Sequence, residues 1–77
     1  MQIFLKALGR KVALARQARQ LTQKQAAKLA NISDRYLQRI EAGMVNLTMA
    51  TLLRIARPLK AHPKDLIPGS ADWSWKD

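Results

Sequence analysis

Two helix starts stand only eleven residues apart in this chain, and that spacing constrains its fold more than any other feature. Thr22 is followed three residues later by Gln25. In this pattern a hydroxyl caps a free helical N–H while the amide reaches back to the capping residue. Leu21 is placed to staple onto Ala26. Ser33 is a second N-cap, and Asp34 puts a negative charge in the first turn, where it complements the helix dipole. A helix opening at Thr22 must therefore close by Asn31, a residue that tolerates left-handed backbone well. Asn31 and Ile32 alone remain to make the connection.

The rest of the chain also has helical period. Phe4, Leu8, Val12 and Ala15 recur on one face with Lys6, Arg10 and Lys11 between them, which predicts an amphipathic helix over about 3–19 with Leu14 off that face. The helix after Thr22 is expected to turn Ala26, Ala27, Leu29 and Ala30 inward. The helix after Ser33 runs to about Ala42 with Tyr36, Leu37 and Ile40 inward, and Gly43 ends it. Thr48 opens a fourth helix with Leu52, Leu53, Ile55 and Ala56 inward, which Pro58 should kink or stop because its ring removes a donor and crowds the preceding turn. Pro63 follows a cap at His62 and starts a short fifth helix through Leu66 and Ile67. Pro68, Gly69 and Ser70 then release a tail. No internal repeat or strand-period alternation interrupts this pattern. The expected architecture is all-α, one compact five-helix domain over 1–68 with a C-terminal tail over 69–77.

With 77 residues and no cysteine, the core is small and has no covalent staple, so association into a homodimer would add to its stability. The longest apolar runs, such as Ile3-Phe4-Leu5, are far too short to span a bilayer, and no signal peptide is apparent. A soluble, cytoplasmic protein that does not engage membranes is expected. The net charge of +9 favours a polyanionic partner. The charges are also segregated. Residues 1–33 hold seven Lys and Arg and no acid, whereas all five acids follow, at Asp34, Glu41, Asp65, Asp72 and Asp77. His62 is the single histidine, so a metal site lacks ligands, and no nucleophile set, paired carboxylates or Gly-rich phosphate loop appears. Neither catalysis nor a cofactor is expected.

Two short helices on a tight turn in a basic chain are the elements of a helix-turn-helix, in which the first helix spans the phosphates and the second enters the major groove of double-stranded DNA. The second of these helices keeps Arg35, Gln38 and Arg39 opposite Leu37 and Ile40. Ser33, Asp34, Arg35 and Arg39 are left to touch a DNA edge, Arg by two bonds to guanine, Asp by accepting from cytosine, Ser by bonding base or phosphate. Asp34 could instead only cap its helix and orient Arg35 or Arg39, and the two arginines could instead clamp phosphates. Lys24, Lys28 and Asn46 are candidate phosphate contacts or simply solvated. Trp73 and Trp75 could pack back on the domain or meet a protein partner.

The ordered series Leu8-Gly9, Val12, Arg16, Leu21-Thr22-Gln23, Ala27, Ile32-Ser33, Tyr36-Leu37, Ile40-Glu41, Gly43, Asn46, Thr51-Leu52, Ile55-Ala56, Pro63 and Leu66-Ile67 resembles the lambda-repressor and Cro-like (XRE) helix-turn-helix family. Small phage repressors and the controller proteins of restriction-modification systems are similar short members. The resemblance implies a transcriptional regulator that binds a palindromic operator as a homodimer. It places Ser33, Asp34, Arg35 and Arg39 at base-reading positions and Gln23 at a phosphate-binding one. Arg16 and Glu41 fall where some members form a partly buried ion pair. The chain departs from the family in carrying Met44 and Val45 where Lys or Arg often follows the glycine, and Gln20 where glycine is frequent. An antitoxin-like interaction module using Leu14, Met44, Val45 or the tryptophan tail is the competing reading.

Overall fold

The computed structural model describes residues 1–69, which form five helices: α1 (Gln2–Ala18), α2 (Gln23–Ala30), α3 (Asp34–Glu41), α4 (Met49–Leu59) and α5 (Pro63–Leu66). No strand occurs among the described residues. None of the helices is long and apolar enough to cross a membrane.

Capping decides where each element begins. The Thr22 hydroxyl accepts from the Gln25 N–H at 3.0 Å while the Gln25 amide oxygen accepts from the Thr22 N–H at 2.9 Å, a reciprocal box. Ser33 and Thr48 cap α3 and α4 in the same sense, accepting from Tyr36 and Thr51. His62 Nδ1 accepts from Lys64 and Asp65 reaches back to the His62 N–H, which fixes α5 behind Pro63. Four helix ends share one stop. Gln20, Asn31, Gly43 and Lys60 all have positive φ, and in each case the next residue's N–H donates five positions back along the chain. This is the left-handed cap that satisfies the last free carbonyls.

The core lies where α2 packs on α3 and α4 while α1 packs on α3 and α5. Val12, Ala27, Leu37, Ile40 and Leu66 are almost wholly buried there. Ala26, Ala27 and Ala30 give α2 a face narrow enough to sit between its two neighbours. Gly9 does the same for α1. A Cβ at position 9 would stand 2.6 Å from the Glu41 carbonyl oxygen, so only glycine lets α1 reach the end of α3. Phe4 and Ala15 pack half-buried against this core.

Three expectations need correction. Leu29 is 62% and Leu53 49% exposed, not inward. At 100° per residue, Leu29 is turned away from the side that Ala26, Ala27 and Ala30 bury, and Leu53 from that of Leu52, Ile55 and Ala56. Conversely Leu5, outside the expected inner face of α1, is buried. Pro58 does not itself stop α4, which runs one residue further to Leu59. Its missing donor falls in the last turn, where Lys60 and Ala61 still donate to Arg57 and Ala56 and close the helix.

Candidate nucleic-acid interface

The helix-turn-helix runs from the Thr22 cap through α2, the Asn31-Ile32 turn and α3. Asn31 adopts φ 59° and ψ 44°, so the chain reverses without glycine. Leu37 and Ile40 hold α3 on the core, and this leaves Arg35, Gln38 and Arg39 exposed on its other side. Asp34, Arg35, Gln38, Arg39, Ala42 and Met44 line one shallow groove there. Ser33, also exposed, spends one lone pair on the Tyr36 N–H at 3.0 Å and keeps its hydroxyl proton for an outside acceptor. Asp34 stands in the first turn of α3, half-exposed, and no ion pair joins it to Arg35 or Arg39. Both arginines are exposed, and among the described residues neither guanidinium has a hydrogen-bond or ion-pair partner.

A second arrangement sets where this face sits relative to α2. Arg16 on α1 donates twice to Glu41, at the end of α3: Nε to Oε2 at 2.8 Å and Nη2 to Oε1 at 3.1 Å. Its remaining nitrogen, Nη1, donates to the Leu21 carbonyl at 2.8 Å, pinning the turn that leads into α2. Gln23, the first residue of α2, donates from Nε2 to Glu41 Oε1 at 2.9 Å. One carboxylate thus gathers α1, α2 and α3. The Gln23 amide nitrogen still carries a second hydrogen, at the helix N-terminus where N–H groups and dipole favour an anion.

Lys24 and Lys28 are exposed one turn apart on α2, and Asn46 is exposed in the loop after α3. Val45 is half-buried against the core, whereas Met44 and Leu14 are exposed. Trp73 and Trp75 lie outside the described residues. Among the described residues no group of three or more His, Asp or Glu is placed to hold a metal. No local sequence pattern announces the bond from Gln23 to Glu41. Gln38, outward-facing by helical period but not among the expected base readers, lines the groove because its spacing from Arg35 and Ala42 sets it beside them.

A model of the helix-turn-helix family HTH_3 matches residues 12–66. The chain has no match among curated proteins. Among solved structures it is similar to the restriction-modification controller protein C.AhdI from Aeromonas hydrophila, at 27% identity over 82% of this chain and 96% of that one, with a TM-score of 0.80. It is also similar to an HTH_3 family transcriptional regulator from Vibrio cholerae, at 28% identity over 86% of this chain but 38% of that longer chain, with a TM-score of 0.77. The clp gene regulator ClgR from Corynebacterium glutamicum, 24% identical over 82% of this chain and 67% of that one, shares the fold at a TM-score of 0.79. The capped helix pair, the outward face of α3 and the match over most of its length agree: the chain belongs to the HTH_3 helix-turn-helix family of DNA-binding transcription regulators.

Proposed function

We propose that the protein regulates transcription by binding a palindromic operator in double-stranded DNA as a homodimer, with α3 in the major groove. The observation that carries this reading is the outer face of α3, where Arg35 and Arg39 are exposed beside Asp34 and, among the described residues, unpaired, while Glu41, on the same helix, is locked to Arg16 and Gln23. A helix whose inner side is so held presents its outer face at a set angle, from which exposed side chains can reach base edges. Arg35 and Arg39 bond guanine, Asp34 accepts from cytosine and Ser33 donates to a base edge. Gln23, Lys24, Lys28 and Asn46 bond phosphates, which fix register but carry no sequence information.

The homodimer reading rests on a small core and on the dimeric habit of the resembled family. Its contacts fall in residues 59–67. Leu59 and Leu66 are committed to the core of their own chain, which leaves Ile67, with half-buried Ala61 and Pro63, as the apolar part of that surface. In the dimer the two copies of α3 sit about 34 Å apart, one turn of B-DNA. Selection of bound duplexes from a random pool tests the whole reading: a recovered inverted repeat with half-sites one turn apart is expected. Recovery of no preferred sequence, or a monomer by light scattering at tens of micromolar that also binds DNA singly, overturns it.

A further inference from the structure

The four side chains assigned to base reading leave part of the α3 groove unused, and what fills that part is chemically different. Arg35 and Ala42, seven residues apart, lie within about 20° of one another around the helix, and Gln38 and Arg39 flank their line by about 50° on either side. Gln38 is thus as much a part of the outward face as Arg39. It is exposed, and its side-chain amide has no hydrogen-bond partner among the described residues. Met44 belongs to the same groove although it lies beyond the helix. Gly43, at φ 76°, turns the chain back, and the Met44 N–H donates to the Arg39 carbonyl at 2.9 Å while that of Gly43 donates to Ile40 at 3.0 Å. These two bonds form the paired cap of a left-handed helix end. They anchor the Met44 backbone to the last turn of α3, and the residue stays 63% exposed.

Building on the operator reading above, we propose that Gln38, Ala42 and Met44 read an A·T pair. Glutamine presents a donor and an acceptor side by side, which matches N7 and N6 of adenine in the major groove. Ala42 and Met44 are apolar, and the one apolar group a base pair offers in that groove is the thymine methyl. A lysine or arginine after Gly43 would grip phosphate irrespective of sequence. Methionine has no charge to do so, and its unbranched thioether adapts to a methyl surface. The occupant of this groove is DNA rather than a protein because the same groove holds Arg35 and Arg39 in a chain of net charge +9. From Asp34 to Ala42 the helix rises about 12 Å, or three to four base pairs at about 3.4 Å each. Each half-site should therefore place an A·T pair within about four base pairs of the guanine taken by Arg35 or Arg39.

Duplex selection on the wild-type protein and on Gln38→Ala, followed by titration of the recovered site, tests this. Gln38→Ala is expected to remove the preference for adenine at one position per half-site, about 5- to 150-fold, while the guanine preference remains. Deoxyuridine in place of thymidine at the A·T pair deletes only the methyl and should weaken wild-type binding about fourfold, the worth of one buried methyl. In Met44→Ala that sensitivity should shrink. Both substituted side chains are exposed, and circular dichroism verifies that the variants stay folded. An unchanged consensus for Gln38→Ala, or no response to deoxyuridine, overturns the A·T assignment and leaves the operator reading standing. A wild-type protein that selects no consensus overturns the operator reading itself.

Discussion

Arg16 and Glu41 meet in a two-point ion pair across 25 residues of sequence, with side chains only 12% and 7% exposed. Water reaches neither group freely, so each depends for its charge on the other, with Gln23 adding one bond to Glu41 and the Leu21 carbonyl one to Arg16. Removing one partner strands the other charge in a poorly hydrated place, whereas replacing both by apolar side chains of similar volume need not. Arg16→Ala is expected to lower unfolding free energy by about 3–5 kcal/mol in urea titrations, and Arg16→Met with Glu41→Leu to recover most of that loss. A loss below about 1 kcal/mol for the single variant would mean that the pair behaves as an exposed one.

Left-handed backbone at two helix ends predicts opposite responses to substitution. Gln20 has φ 58° and an exposed side chain, so Gln20→Gly relieves a steric cost and should add about 1 kcal/mol. Thermal melting would show this as a rise of about 4–8 °C. Gly43→Ala should destabilise by more than that. Its Cβ would lie 2.7 Å from Lys6 Cα, and backbone gives way less readily than a side chain end.

Placement on α3 or on α2 separates reading from holding. Arg35→Ala or Arg39→Ala is expected to cost about 1–3 kcal/mol on the selected site and to relax preference at one base position per half-site. Lys24→Ala should weaken selected and random duplexes alike. Equal losses on both kinds of duplex for the arginine variants would identify them as phosphate clamps.

Counterion release should dominate the salt response. Gln23 and Asn46 are neutral, so the contacts that displace cations come from Lys24, Lys28 and whichever basic groups approach the backbone. About four to six neutralised phosphates per duplex site give a slope of log affinity against log salt near −4 to −5. Fluorescence anisotropy between 50 mM and 200 mM salt measures it, and a flat response would reject the electrostatic account.

The helix boundaries were legible in the chain itself, because caps and left-handed stops are local events: Thr22 with Gln25, Ser33 with Tyr36, and Asn31 and Gly43 each act within a few residues. The outward placement of Arg35, Gln38 and Arg39 was legible for the same reason, since helical period alone turns them away from Leu37 and Ile40. Leu29 and Leu53 were not, because hydrophobicity does not say which side of a helix finds a neighbour, and α2 met α3 and α4 through alanines instead. Pro58 is tolerated inside α4 because its cost depends on how far the helix must run beyond it, and here that is a single residue. The ion pair of Arg16 and Glu41 was suggested by family resemblance alone, and the bond from Gln23 to Glu41 by nothing local. Such contacts form between residues far apart in sequence, and their geometry exists only once α1 has come down on α3 at Gly9, where a missing side chain allows two backbones to touch.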